Sequence, residues 1–265
     1  MLKYTAVALL AVSLSACAGR VLPWHEKAAG SAPAAAAERE AVAAHPSLVS
    51  PTSKAGAALW EAALRARGTR IIISTEGRSL WLLRDSAVLL KAPIAVGRSK
   101  RLVYKGKEYD FTTPIGKRKV LQKGTTPIWT PPDWHYFEIA VEQNLEAVFL
   151  RPNSRVALKD TTRIEVRKNQ VGRVNRLGNF WPFTPGKEII FDGKIFIPPI
   201  GTAQRKVPEV LGTHKLEMGD GYLIHGTNEE GTIGEAVSHG CIRMYKEDVA
   251  RLFSLADVGT AIYVY

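Results

Sequence analysis

The chain has 265 residues, 46% of them hydrophobic and only 8% aromatic, with 22 Gly and 15 Pro. That mix suits a turn-rich globular domain with an appendage and excludes a coiled coil or a wholly disordered chain. Its 36 Lys and Arg against 25 Asp and Glu, a formal charge of +11, imply an acidic partner, but no helix-turn-helix, zinc-finger or aromatic-interleaved basic motif accompanies them, so nucleic acid is not that partner.

Residues 1–16 read as an export signal too short to span a bilayer: Lys3 is a positive start, Ala6 to Val12 an apolar run, and Leu14-Ser15-Ala16 the small residues before Cys17. Leu14-Ser15-Ala16-Cys17 resembles the lipobox of bacterial lipoproteins, which implies cleavage before Cys17 and a diacylglycerol on its sulfur. Ala18 and Gly19 follow, with no Asp in the second position. The implied location is the cell envelope, on the periplasmic face of the outer membrane, with the lipid anchor on Cys17 as the membrane contact. Residues 17–53 are rich in Ala and Pro and read as a tether. Over 54–68, Leu59, Trp60, Ala63 and Leu64 recur at helical spacing and Gly68 ends the run, which predicts a short docking helix anchored by Trp60.

The remaining residues, 69–265, read as mostly β with a few helices. Ile71 to Ser74, Ser79 to Leu83 and Val88 to Val96, separated by Glu76-Gly77 and Asp85-Ser86, predict a three-stranded meander. A basic loop follows with Lys100, Arg101, Lys105 and Lys107, then a tight turn at Thr112-Thr113-Pro114-Ile115-Gly116. Pro127 to Trp134 reads as a core corner or a groove wall, and Phe137 to Phe149 has helical spacing. Within an insertion over about 137–200, Arg151 to Arg176 carries eight basic residues against Asp160 and Glu165, either a solvated hairpin face or a flap that meets acidic polymer. Ile189 to Pro198 reads as a hairpin closed by Asp192-Gly193. Tyr222 to His225 predicts a buried strand, Tyr245 to Leu255 an amphipathic helix and Thr260 to Tyr265 a closing strand.

The chemistry concentrates in Ser238-His239-Gly240-Cys241-Ile242-Arg243 and in His225-Gly226-Thr227 upstream. With Cys17 lipidated, Cys241 has no disulfide partner, and a lone thiol in an oxidising compartment fits a nucleophile. It attacks as thiolate, and a histidine, the start of the helix near Tyr245 and Arg243 could all lower its pKa. Gly240 would let a substrate carbonyl approach, with the N–H groups of Gly240 and Cys241 facing the oxyanion. Two histidines compete for the base: His239, sharing a face with Cys241 on extended backbone, and His225, reaching from a separate strand. A backbone carbonyl such as that of Gly226 could fix the tautomer, and Asp220 is the nearest upstream carboxylate. A zinc site from His225, His239, Cys241 and His214 is a rival with poor ligand spacing, so no metal is assigned.

These residues resemble the signature of the L,D-transpeptidase catalytic domain, or YkuD domain: a histidine, a gap, then Ser/Thr-His-Gly-Cys, an apolar residue and Arg or Asn. Thr113-Pro114-Ile115-Gly116 resembles the family's earlier Thr-Pro-x-Gly turn. The resemblance covers about Thr69 to Tyr265 and implies an L,D-transpeptidase-like mixed β-sheet domain. It implies Cys241 as nucleophile, His225 as base and the Gly226 carbonyl as orienting group. Ser238, His239, Gly240 and Arg243 would shape the donor site and oxyanion pocket. No cofactor is implied. The implied reaction takes a peptidoglycan tetrapeptide stem through a thioester to an amine acceptor, a neighbouring stem or an envelope protein. Hydrolysis of the same bonds, as a carboxypeptidase or endopeptidase, and a non-catalytic wall-binding lipoprotein are the alternatives.

Overall fold

Thr69–Ser74 reads Thr-Arg-Ile-Ile-Ile-Ser, a run this apolar being stable as a strand only when both its faces are covered. In the computed structural model, which describes residues 51–265, it is the middle strand of a mixed five-stranded sheet. The order is Ala87–Pro93, Ser79–Arg84, Thr69–Ser74, Ala261–Val264, Gly116–Lys119. The first three form the expected antiparallel meander. The chain's last strand joins them in parallel, a central rather than an edge strand. The export signal, Cys17 and the tether up to residue 50 lie outside the described residues.

Alternation divides the sheet's two faces. Ile71, Ile73, Leu80, Leu82, Ile262 and Val264 enter one core together with Ile224, Ile242, Val249 and Leu252. Ile72, Trp81, Leu83 and Tyr263 enter another, under helix α1 (Lys54–Arg65). Helix α1 starts where Ser53 Oγ accepts the Gly56 N–H at 3.0 Å. It docks through Ala63 and through Trp60, which meets the Tyr265 ring edge-on at 5.4 Å. The expected docking helix and its anchor are therefore both present.

Four segments depart from expectation. The basic loop after Gly97 is a hairpin, Arg101–Tyr104 against Lys107–Asp110, turned at Lys105 and Gly106, both at positive φ. Leu102 and Tyr109 pack it onto Phe137, which its surface charges concealed. Phe137 to Phe149 is not one helix: helix α2 (Asp133–Glu142) ends before Asn144, at φ +52°, and Glu146–Phe149 is a strand. Pro127 to Trp134 is split, with Pro127 and Pro131 buried and Trp134 carried into the first turn of α2. The insertion is therefore built from α2 onward, with one hydrophobic cluster of its own and a second that it shares with Leu102 and Phe111. It holds a three-stranded sheet with the expected Asp192-Gly193 hairpin and a four-stranded sheet from Arg155 to Pro182.

The basic run resolves within that four-stranded sheet. Glu165 is 3% exposed and lies 2.5 Å from Arg163, 2.7 Å from Arg167 and 3.6 Å from Arg155, while Asp160 pairs with Arg173. Much of the positive charge is thus held by buried or local carboxylates, which favours the structural face over a polymer-binding flap. The Arg163 hydrogen bond, opposed by burial and reinforced by Arg167, holds the Glu165 carboxyl below the ordinary glutamate range. A depressed carboxyl contributes stability above its unfolded pKa and loses it as pH falls through the folded value. Glu165→Gln is therefore expected to lower stability by on the order of 1 kcal/mol at neutral pH. The gap from wild type should close on acidification, and thermal unfolding at stepped pH measures it.

Candidate active site

Two short parallel strands build the site. Tyr222–His225 pairs with Ile242–Arg243, with Ile224 beside Ile242 and His225 beside Arg243. Ile224 and Ile242 point into the core at 0% exposure, so strand alternation turns His225 and Arg243 to the opposite face. Carrying the alternation back one residue from Ile242 puts Cys241 toward that same face. The two motifs singled out in the sequence meet here because each places an apolar residue in the core beside the other's.

His225 is 4% exposed, and its Nδ1 lies 2.5 Å from the Gly226 carbonyl. A carbonyl only accepts, so Nδ1 carries the proton and Nε2 presents its lone pair. Burial, partly countered by the Gly226 bond, pushes the imidazole down to about 4, so it is neutral at physiological pH. The Gly226 backbone is itself backed by Gly212, at φ +64°, where a Cβ would stand 2.7 Å from the Gly226 Cα. Asp220 takes no part. It stands in the turn between Gly219 and Gly221, at φ +53°, and accepts from Arg118 at 3.0 Å.

The turn that carries Cys241 is held by two hydroxyls. Ser238 Oγ accepts the Gly240 N–H at 3.1 Å and donates to the Cys241 carbonyl at 2.5 Å. Thr113 Oγ1 accepts the Gly97 N–H at 2.8 Å and donates to the Gly240 carbonyl at 3.1 Å. Gly240 sits at φ +108°, and a Cβ there would come 2.5 Å from the Tyr222 ring. Two expectations change. The Gly240 N–H is bound to Ser238 and is not free for an oxyanion. The glycine is required by its own backbone and by Tyr222, rather than by an approaching carbonyl.

The expected activation of the thiol also changes. Burial pushes the partly exposed Cys241 thiol up, and the Leu223 backbone and Arg243 only partly offset this. The start of helix α3 (Lys246–Leu255) is already answered by carboxylates: Glu230 from an upstream turn accepts the Lys246 N–H, and Glu247 and Asp248 occupy the first turn. Arg243 remains the nearby positive charge, itself bound to Glu229 at 2.7 Å.

His239 does not share the face of Cys241, because Gly240 breaks the extended run between them. Its Nε2 lies 2.8 Å from Glu138 Oε2 and 2.9 Å from Arg98 Nη2. Arg98 also pairs with Glu138, which keeps it ionised, so Nε2 carries the ring proton and donates it in a hydrogen bond to the Glu138 carboxylate, and that nitrogen is committed. The ring stacks on Trp134 at 4.3 Å and meets Phe111 edge-on at 4.6 Å. Arg98, Glu138, Trp134 and Tyr222 are site residues that the sequence reading missed. A helical signal was available, since Trp134 and Glu138 stand four apart on α2 and therefore share a face. His214, a member of the rival zinc set, instead approaches Thr213 Oγ1 at 2.9 Å and packs on Phe253. Among the described residues, no cluster of three or more His, Cys, Asp and Glu is placed to hold a metal.

Comparison with known proteins places residues 68–264 within the model of a family described as the L,D-transpeptidase catalytic domain. YkuD of Bacillus subtilis (strain 168) is 36% identical over 93 residues, covering 34% of this chain and 55% of that protein. YbiS of Escherichia coli (strain K12) is 46% identical over 52 residues, covering 20% and 17%. The chain thus spans about half or less of these relatives. An L,D-transpeptidase structure from Xylanimonas cellulosilytica DSM 15894 aligns over 76% of this chain and 62% of its own at 15% identity, with a TM-score of 0.39.

Thr113→Val would leave the Gly97 N–H and Gly240 carbonyl without their shared partner. The expected loss is about 1–3 kcal/mol of stability in denaturant unfolding. Gly240→Ala adds strain at positive φ and a clash with Tyr222, and is expected to slow alkylation or acylation of Cys241 by about 100-fold while the protein stays folded by circular dichroism.

Proposed function

The chain belongs to the L,D-transpeptidase catalytic domain family, and from that premise we propose that it is a cysteine acyltransferase acting on peptidoglycan stem peptides. The observation that carries this reading is His225, neutral, with Nδ1–H fixed on the Gly226 carbonyl and Nε2 free to accept, on the face of the strand pair that also presents Cys241. A neutral imidazole of fixed tautomer beside a thiol is the arrangement general-base activation requires.

The mechanism starts from an uncharged pair rather than a standing thiolate–imidazolium pair. His225 Nε2 takes the Cys241 proton as sulfur attacks the carbonyl of the L-centre of the third stem residue, and the Cys241 N–H is the remaining backbone donor of the turn for the oxyanion. The imidazolium then protonates the departing amine of the terminal D-Ala, leaving a thioester on Cys241. An acceptor amine attacks the thioester, gives its proton to His225 and regenerates the thiol. Water in place of the amine gives hydrolysis. Arg243 stabilises developing negative charge, while Ser238, Thr113 and the Glu138–His239 bond position the turn.

Export and lipidation at Cys17, with the catalytic domain tethered at the periplasmic face of the outer membrane, complete the proposal. The lipobox-like Leu14-Ser15-Ala16-Cys17 supports it. Intact mass of the purified native protein checks it, an unmodified Cys17 counting against it.

The reaction itself is tested by incubating the protein with disaccharide tetrapeptides and identifying products by mass spectrometry. Crosslinked dimers are expected and must vanish in Cys241→Ala; tripeptides alone would assign hydrolysis, and unchanged substrate would sink the enzymatic reading. A second expectation concerns pH. With His225 neutral above about 4 and the thiol above its ordinary 9.0, acylation of Cys241 by a carbapenem should keep accelerating from about pH 6 to about pH 9. A preformed ion pair would instead give a plateau across that range in stopped-flow measurements.

A further inference from the structure

A cavity of about 200 Å³ opens next to the site and is used by no step above. Its walls are Trp129, Pro131, His135, Tyr136 and Val207, with Lys187 and Glu188 at the rim. It adjoins the nucleophile's neighbourhood through one helix. His135 follows Trp134, whose ring stacks on His239, and Trp129 meets His135 edge-on at 5.1 Å. The Trp129 wall is itself fixed, its backbone bonded both ways to Val207 at 2.9 and 2.8 Å.

Two polar groups in this cavity have no hydrogen-bond partner among the described residues: the His135 ring nitrogens and the Tyr136 hydroxyl. Burial pushes His135 down, so it offers one donor and one acceptor at neutral pH. Burial pushes Tyr136 up to about 12, so it remains a donor. Lys187 and Glu188 are exposed and carry opposite charges, leaving the rim without net charge. The volume is below the roughly 300–1,000 Å³ of sites for drug-sized ligands, so it holds one ring rather than a peptide.

We propose that this cavity is a saccharide subsite that takes one pyranose ring of the glycan strand carrying the stem peptide. A pyranose has an apolar C–H face for the electron-rich face of an aromatic wall such as Trp129. It also has a rim of hydroxyls, and in an amino sugar an acetamido group, for the unpaired donors and acceptors of His135 and Tyr136. A neutral rim suits an uncharged ring better than the acidic polymer that the overall charge suggests. Naming the glycan as the source of that ring rests on the proposed function, whereas the chemistry of the cavity does not.

The full chain is titrated with the peptide-free disaccharide of N-acetylglucosamine and N-acetylmuramic acid, and saturation-transfer NMR reads the ring protons. Wild type is expected to give a signal that Trp129→Ala and His135→Ala both lose, while carbapenem acylation of Cys241 stays at the wild-type rate and shows the variants folded. With disaccharide tetrapeptide as donor, both variants should raise KM roughly tenfold at unchanged kcat. With free tetrapeptide they should match wild type. Absence of a disaccharide signal, or a signal that survives in both variants, overturns the proposal. So does displacement of the disaccharide by free D-alanine, which would assign the cavity to a zwitterion held between Lys187 and Glu188. If wild type is not acylated and turns nothing over, the proposed function fails, and the NMR titration alone decides the subsite.

Discussion

The turn at Cys241 depends on one constraint: a backbone at positive φ, at Gly240, has to be held in place without help from regular secondary structure. Two hydroxyls meet it, and they come from the two motifs. Ser238 ties the turn to itself, bonding to Gly240 and Cys241, and Thr113 ties it to the Val96–Gly97 strand from more than a hundred residues away. Each hydroxyl both donates and accepts, so four backbone groups are satisfied by two buried side chains. The Thr-Pro-Ile-Gly turn and the Ser-His-Gly-Cys stretch are thus one mechanical unit. Proline in the first fixes the chain direction after Thr113, which aims the hydroxyl at Gly240.

Burial outweighs charge at this site. Arg243 lies close enough to affect Cys241, His225 and His239, yet desolvation is the larger influence on all three. For the two histidines burial and Arg243 act together, since both disfavour imidazolium. For the thiol they act in opposition, and burial wins. The site is therefore uncharged at sulfur and at His225 at neutral pH. A thiolate is the readily oxidised form of cysteine, so the burial that keeps Cys241 protonated also makes it less open to oxidation.

What the sequence revealed and what it hid divide along a physical line. The meander, the Asp192-Gly193 hairpin and helix α3 were legible because alternation, turn chemistry and helical spacing are local. The pairing of the His225 strand with the strand after Cys241 was legible because both motifs carry a core isoleucine, Ile224 and Ile242. Glu138 and Arg98 were not, because their importance lies in a three-way contact with His239 across separate elements. The basic hairpin after Gly97 was hidden for a related reason: its charges face water, and Leu102, Tyr104 and Tyr109 alone betray the buried side. Charge counting failed at Arg151 to Arg176 as well. One buried Glu165 draws three of those arginines onto itself, and burial of a single carboxylate cannot be read from composition.

Helix α2 shows how the insertion and the turn that carries Cys241 are coupled. A helix presents successive residues about 100° apart, so a short one can address several surroundings at once. Trp134 and Glu138, one turn apart, both meet His239. Tyr136, Phe137 and Ala140 enter the lobe's core. His135 and Tyr136 line the adjoining cavity. Packing of the lobe therefore sets the rotation of α2, and that rotation sets both the clamp on His239 and the shape of the cavity. An insertion held on by this helix is not an appendage to the catalytic domain, since any change in its core that turned α2 would be felt at the residue two before Cys241.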